Sequence, residues 1–357
     1  MQRQLEHFCA TISPHPHGEA VSMDLALRPM STSQVLDRTF FLYKNNFVLF
    51  AGIAIITPTL RLIAVLVQLK LFGPMVMPQQ PEAMTAQFFQ GLLVQVLFGA
   101  VVGTIVYLIG TALASSATAY AVSMVHLGKT TTIAESYRKV KPVFFKILWL
   151  LCLVLFFSFG PLILCYVLLF GVGFLATTVA KGGGQQMGLA ITMIVVGLVS
   201  LLGILASLVW MIYVFCRYAF AVPACTLEKL PAGSSLSRSR FLTDGAKWSV
   251  AGLAFLTIVM SVVVTYALEL PALLVNGGSL VPSATTPMSM VTTVWVYIAQ
   301  FLGGTVTGPI TTIALVLMYY DRRVRKEAFD IQLMMEAVGQ QTPTQTQTAT
   351  AAPPALG

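Results

Sequence analysis

The sequence predicts an all-α integral membrane protein with six transmembrane helices, interfacial amphipathic helices and three repeated helical hairpins. Of its 357 residues, 57% are hydrophobic and only 10% are charged, whereas about a quarter of the residues of a soluble domain are charged. Several apolar segments exceed the roughly 20 residues that an α-helix needs to cross a bilayer. Together these observations exclude a soluble enzyme or a soluble binding domain as a description of the whole chain.

The apolar segments divide the chain into two tails and a membrane domain. We expect a flexible tail over 1–30, a membrane domain over 31–335 and a disordered, low-complexity tail over 336–357. Either Met1 or Met23 is a plausible start of the chain. The six predicted spans lie at about 46–69, 88–124, 144–178, 189–218, 248–270 and 291–320.

Amphipathic segments precede alternate spans at similar intervals. Ser33 is a candidate N-cap, and the Ser33–Asn45 segment that follows is predicted to be an interfacial helix with one apolar face. Thr132 is a candidate cap for a second such segment, and Ser235 for a weaker third. These caps are separated by 99 and 103 residues. Pro58, Pro161 and Pro271 interrupt or end the span after each segment, which favours a hairpin repeated three times.

The charges indicate topology. The net charge of +8 comes from 21 basic and 13 acidic residues, and 18 of the 21 lie beside alternate ends of the predicted spans. The positive-inside rule then predicts that both termini lie in the cytoplasm. We expect no nucleic-acid partner. The five cysteines form no CxxC motif, and neither a cofactor nor a metal site is expected.

Arg61 and Glu269 are the charged residues well inside predicted spans, and each lies near a proline. An intramembrane charge usually faces protein or water and has a partner. Two interpretations stay open: the residues pair or line a shared polar cavity, or Arg61 reaches the outer headgroups and Glu269 marks a helix end.

Small residues recur along the second and sixth predicted spans. The second predicted span contains Gly99, Gly103 and Gly110, and the sixth contains Gly304 and Gly308. Small residues allow membrane helices to approach closely. We expect these residues to pack helices within the bundle rather than to form a dimer face.

Basic segments lie at 138–141, 238–240 and 322–326. They can bind anionic headgroups or act only as topology signals. In the last segment, Asp321 and Arg325, and likewise Arg323 and Glu327, are spaced i, i+4, which favours a salt-bridged helix.

Three segments resemble the membrane-domain family of glycerophosphoryl diester phosphodiesterase: LRPMSTSQVLDRTFFLYKNNF, the Arg217–Trp248 segment and GPITTIALVLMYYDRRVRKEAFD. The resemblance covers about 25–333. Some members carry a phosphodiesterase barrel after this domain, but no segment here resembles that barrel, so we do not expect the activity to carry over. The matching positions have no known role. They are Asp37, Arg38, Arg217, Pro223, Glu228, Arg238, Trp248, Pro309, Tyr320, Asp321, Arg323, Arg325, Glu327 and Asp330.

No catalytic motif is present, so no catalytic residue is predicted. The favoured hypothesis is a non-catalytic scaffold or accessory protein with membrane lipids, a protein partner or a second copy as partners. The alternative is a transporter or lipid-handling permease with broken helices, and a membrane enzyme is the third. A cavity reaching Arg61 and Glu269 would favour transport, whereas a packed bundle would favour a scaffold.

Overall fold

The computed structural model describes residues 30–73, 86–181, 186–275 and 289–327, and every regular element in these ranges is helical. Six helices are long and apolar enough to cross a membrane. The all-α membrane fold class is therefore confirmed. Residues 1–29 of the predicted N-terminal tail, the last residues of the predicted membrane domain from 328 onward, and the predicted C-terminal tail at 336–357 lie outside the described residues.

The first repeat begins with a capped helix. Its helices are α1 (Thr32–Asn45), α2 (Phe47–Ala54), α3 (Ile56–Phe72) and α4 (Ala86–His126). The N-cap of α1 is Ser31, so the prediction of Ser33 was wrong. Ser31 and Gln34 form a reciprocal capping box, which satisfies two backbone N–H groups instead of one.

The buried face of α1 differs from the apolar face predicted for it. The predicted face of α1 contains Leu36, Phe40 and Tyr43; Tyr43 is buried, but Phe40 is 40% exposed. The other buried positions are Val35, Thr39 and Leu42. Around a membrane bundle, large apolar side chains are stable against lipid, and small or hydrogen-bonded residues fill the interior. Apolar periodicity therefore identifies the helix but does not identify which face is inside.

The first span is interrupted at Ile55, between α2 and α3, three residues before Pro58. Proline has no N–H group, so Pro58 cannot donate to the carbonyl of Ala54 one turn earlier. The interruption therefore appears in the turn that precedes the proline. Tyr137 supports this turn because its hydroxyl donates to the carbonyl of Ile53 at 2.5 Å.

The second repeat has the predicted cap. Thr132 accepts a hydrogen bond from the backbone N–H of Glu135 at 3.2 Å. Pro161 lies inside a continuous helix. The elements are α5 (Ile133–Val140), a 3₁₀ turn (Lys141–Val143), α6 (Phe144–Lys181) and α7 (Gln186–Tyr218).

The third repeat departs from the sequence pattern. Its helices are α8 (Ala221–Leu227), α9 (Ala232–Thr243), α10 (Lys247–Val275) and α11 (Met290–Glu327). Ser235 is not a cap: it is fully buried inside α9 and donates to the carbonyl of Pro231. Helix α10 continues through Pro271, and α11 continues past Tyr320 to Glu327.

The hairpins α3–α4, α6–α7 and α10–α11 form the most extensive helix contacts, and α11 also packs against α1, α2, α3 and α4. Half of the most apolar window of α11 is buried, more than for the other candidate spans. The buried core lies at one end of the bundle, where Phe50, Phe220 and Tyr319 are fully buried. We call this end, built with α1, α5, α8 and α9, the short-helix end.

Candidate functional site: a groove between three spans

A cavity of about 710 Å³ lies between α3, α4 and α11; we call it the groove. On α4 its wall runs from Phe98 to Thr118. At 1.5 Å per residue, that length is about 30 Å, which is similar to the thickness of the hydrocarbon core of a bilayer. The groove therefore extends along most of a membrane span.

Polar side chains occur along the whole wall of the groove. Helix α4 supplies Thr111, Ser115 and Thr118 at helical spacing on one face. The hydroxyl of Ser115 donates to the carbonyl of Thr111, which satisfies its proton and leaves its oxygen as an acceptor. The other polar side chains in the wall are Thr57, Arg61, Gln68, Tyr107, Tyr297, Gln300, Thr311 and Thr312.

Glycines on α4 determine where α3 and α4 touch. A Cβ atom at Gly110 would lie 3.0 Å from the Cα of Thr57, and one at Gly99 would lie 2.9 Å from Gln68. Between them, a Cβ atom at Gly103 would meet nothing within 4 Å, although Gly103 lines the groove. Two glycines therefore bring the helices together, while the third leaves open space.

The sixth span closes the groove with two more glycines. Cβ atoms at Gly304 and Gly308 would lie 3.5 Å from Pro58 and 3.9 Å from Ala54. Pro58 and Pro309 both lie in the wall. Because neither proline donates a backbone hydrogen bond, each can leave a polar carbonyl near the groove. The glycine stripes thus contact other helices of the same chain.

Arg61 is exposed and lies in the groove wall, on α3 between the two contacts with α4. Glu269 is only 6% exposed on α10 and is not part of that wall. Among the described residues, no ion pair joins Arg61 to a carboxylate. The structure therefore does not bring Arg61 and Glu269 together.

At the short-helix end, several motif residues form one charged network. Arg238 donates to Glu228 at 3.1–3.2 Å and to Glu327 at 2.8 Å. Arg323 lies 3.3 Å from Glu327 and 3.7 Å from Glu228, and the Tyr319 hydroxyl donates to Glu228. Burial lowers the pKa of Arg238, but its bonds to Glu327 and Glu228 raise that pKa by more, so the net shift is upward. This network holds α9 against α11.

A second charged contact ties the described start of the chain to α11. Asp321 is 4% exposed, accepts a hydrogen bond from the backbone N–H of Met30 at 2.7 Å and pairs with Arg325 at 3.0 Å. Arg325 also donates to the carbonyl of Met30 at 2.8 Å. Both predicted i, i+4 pairs are present. Asp330 lies outside the described residues.

The remaining motif residues do not converge on one site. Asp37 is exposed on α1, and the Arg38 guanidinium lies over the ring of Phe41. Pro223 is buried in α8, Trp248 is 89% exposed, and the ring of Tyr320 lies 5.6 Å from that of His126. Among the residues that the structure describes, no cluster of metal-ligating side chains occurs.

Sequence reasoning found Arg61 and the glycines but did not assemble the groove. A sequence pattern that indicates the polar wall is the spacing i, i+4 and i+7 of three hydroxyl residues in the second predicted span. These residues are Thr111, Ser115 and Thr118. Gln68 and Gln300 are further polar residues inside predicted spans. The sequence does not specify which helices face one another, because that depends on the tertiary structure. The polar residues could therefore not be assigned to a common cavity.

Comparison with known proteins identifies part of the chain. The family model described as the membrane domain of glycerophosphoryl diester phosphodiesterase matches residues 192–350. No curated protein and no solved structure matches the chain. The segment that begins LRPMSTSQ lies before the matched residues. Residues 192–350 are thus similar to the membrane domain of glycerophosphoryl diester phosphodiesterase, which confirms the resemblance over this part of the chain.

Proposed function

We propose that this multi-pass membrane protein handles lipid, holding an anionic amphipathic molecule in the groove with Arg61 against its charged group. The observation that carries the proposal is an open groove of about 710 Å³ with an arginine in its wall. Ligand sites typically have volumes of about 300–1,000 Å³. A groove about 30 Å long matches an extended lipid chain better than a small solute.

The position of Arg61 supports an anionic ligand. A charge at the centre of a membrane helix costs about 2.5–3.5 kcal/mol on insertion scales, so it is normally compensated by a partner or by water. In the described part of the chain, Arg61 forms no ion pair with a carboxylate. A ligand carboxylate or phosphate would supply the missing charge and bind a guanidinium with two parallel hydrogen bonds.

The scaffold hypothesis depended on basic residues at the membrane surface. Three of them, Arg238, Arg323 and Arg325, form ion pairs within the chain, so their charge is already largely neutralised. The groove favours lipid handling over that hypothesis. A membrane enzyme has no further support from the geometry.

We also propose a bacterial inner membrane with the short-helix end in the cytoplasm. In support, described hydrogen bonds at this end join α5 to α2, α9 to the end of α11, and Met30, just before α1, to the end of α11. Most of the basic residues lie in segments that lead to it. Cysteine labelling from either side of sealed vesicles tests this orientation.

To test the groove, we propose substitutions that fill its open space with a larger side chain. Gly103→Leu places a side chain where a Cβ atom meets nothing, and Gly91→Leu makes the same change at another open position of α4, outside the groove. The measurements are binding of short-chain phosphatidylglycerol by native mass spectrometry and transfer of a fluorescent phospholipid in proteoliposomes. We expect Gly103→Leu to reduce the binding of phosphatidylglycerol and, if the protein transfers phospholipid, to reduce transfer as well. Gly91→Leu should affect neither measurement.

The Arg61→Gln variant tests whether the groove recognises the negative charge of the lipid, independently of whether the groove has space for the lipid. It should reduce binding of phosphatidylglycerol about fivefold or more, with little effect on a zwitterionic lipid of the same chain length. Equal behaviour of Gly103→Leu, Gly91→Leu and the unmodified chain in binding would refute a ligand in the groove. Binding that changes without any measurable transfer would leave a lipid-binding protein rather than a permease.

A further inference from the structure

A second pocket lies at the short-helix end, apart from the groove. It has a volume of about 310 Å³ and is formed where α7 ends, α9 ends and α10 begins. Its wall contains three cationic side chains and one carboxylate, so the charge in the wall is positive. The lining residues are Arg217, Arg240, Phe241, Thr243, Asp244 and Lys247. We call it the basic pocket.

Buried hydroxyl groups fix the wall of the basic pocket. Ser239 and Thr243 are fully buried on α9. The Ser239 hydroxyl donates to the carbonyl of Arg217 at 3.0 Å, and the Thr243 hydroxyl lies 3.2 Å from the same carbonyl and 2.9 Å from the carbonyl of Ser239. The oxygen of Ser239 also accepts from the backbone N–H of Phe220 at 3.2 Å. These bonds lock the end of α7 against α9, so the position of the Arg217 backbone is preorganised.

The two arginines of the pocket are not neutralised by carboxylates. Arg217 donates to the hydroxyl of Tyr213, and Arg240 donates to the hydroxyl of Tyr218 at 3.1 and 2.5 Å. Among the described residues neither forms an ion pair, whereas Arg238, between them in sequence, pairs with two glutamates. The tyrosines orient the guanidinium groups but leave their positive charge available.

The remaining charges of the pocket are weakly coupled. Lys247 lies 3.9 Å from Asp244, whose side chain is 77% exposed to solvent. Such an exposed pair contributes little, about 0–1 kcal/mol. A bound anion would therefore contact the guanidinium groups of Arg217 and Arg240, which have no carboxylate partner among the described residues, and the ammonium group of Lys247. The single opposing carboxylate, Asp244, is exposed to solvent.

Exposed aromatic residues place the pocket at the membrane surface. Phe241, in the pocket wall, is 51% exposed, and Trp248, the residue after Lys247 of the wall, is 89% exposed. Exposed tryptophan at the end of a membrane helix is typical of the headgroup level. These aromatic residues favour a pocket at the depth where lipid phosphate groups occur.

We propose that the basic pocket binds a phosphate group presented by a lipid headgroup. The planar guanidinium groups of Arg217 and Arg240 match phosphate oxygens with paired hydrogen bonds, and Lys247 adds a point charge. The site is separate from the groove and does not depend on the function proposed for it. Soluble phosphate carries the same chemistry, so the experiment includes both sources.

The first experiment removes the free cations. Arg217→Gln combined with Arg240→Gln is compared with Arg138→Gln combined with Lys139→Gln, which removes the same charge from exposed positions on α5. The full chain in nanodiscs is titrated with short-chain phosphatidylglycerol, glycerol 3-phosphate and inorganic phosphate. We expect the pocket variant to weaken binding roughly 30-fold and the α5 variant to leave it nearly unchanged.

The second experiment does not rely on loss of function. Asp244→Asn removes the carboxylate of the pocket at an exposed position and should strengthen binding about fivefold. Asp37→Asn makes the same charge change on α1 and should have no such effect. A gain of affinity cannot result from misfolding, so this pair stays informative even if the double arginine variant is unstable.

Comparing the affinities of the three ligands shows whether the pocket binds a lipid phosphate or a soluble phosphate. Tighter binding of phosphatidylglycerol than of glycerol 3-phosphate or inorganic phosphate identifies a headgroup site, while equal affinities overturn the lipid assignment in favour of a soluble phosphate. Arg61→Gln acts in the groove, so it should leave the binding of glycerol 3-phosphate and inorganic phosphate unchanged. If the pocket and α5 variants weaken binding equally, and Asp244→Asn has no effect, the attraction is general surface charge and the site does not exist.

Discussion

Arg238 and Arg240 are two residues apart on α9, yet the structure gives them opposite roles. Arg238 contacts Glu228 and Glu327, and the exposed fractions of these side chains are 25%, 19% and 17%. Arg240 has no carboxylate partner among the described residues; it donates to the hydroxyl of Tyr218, lies over the ring of that tyrosine and is exposed. Replacing each by glutamine therefore compares a paired arginine with one that has no carboxylate partner.

The expected loss for Arg238→Gln follows from the groups left behind. Breaking a buried ion pair costs about 3–5 kcal/mol, because the partner charge stays without compensation. Water reaches part of this network, as the exposed fractions show, so we expect a smaller loss of about 2–4 kcal/mol in the free energy of unfolding. Arg240→Gln should change it by less than about 1 kcal/mol.

The assay is unfolding of the purified chain in detergent, followed by circular dichroism or by a thiol-reactive dye. A double-mutant cycle of Arg238→Gln with Glu327→Gln should give a coupling energy of about 0.5–3 kcal/mol. The swap Arg323→Glu with Glu327→Arg should not restore stability, because it brings a second arginine beside Arg238. Equal stability of the Arg238→Gln and Arg240→Gln variants would refute the assignment of the network.

Two further variants test the packing of α11 and of the groove. Gly110→Ala should be about 1–3 kcal/mol less stable than Gly103→Ala, because the added methyl group meets the backbone of Thr57 at 3.0 Å in one case and open space in the other; equal thermal midpoints would contradict this. Asp321→Asn should lower the free energy of unfolding by about 1–3 kcal/mol through loss of a buried charged acceptor, with Asp37→Asn as the exposed control, and unchanged urea unfolding would count against that contact.

Much of the fold was predictable because hydrophobic length is a local property. The six membrane helices, the cap at Thr132 and the i, i+4 pair of Asp321 with Arg325 each depend on neighbouring residues in sequence. The errors also have local causes. Ser33 and Ser31 are both chemically suitable caps, and only the reciprocal bond from Gln34 distinguishes them. Pro271 was expected to end α10, but membrane helices tolerate proline where neighbouring groups satisfy the backbone.

The sequence by itself determined that this chain is a helical membrane protein, which residues are charged and where small residues recur. Only the tertiary structure decided that Arg61 faces a groove and is not brought together with Glu269. It also decided that Arg238 is neutralised, while Arg217 and Arg240 have no carboxylate partner among the described residues. The physical reason is that pairing and cavity formation depend on helices far apart in sequence, and sequence periodicity does not specify which faces meet.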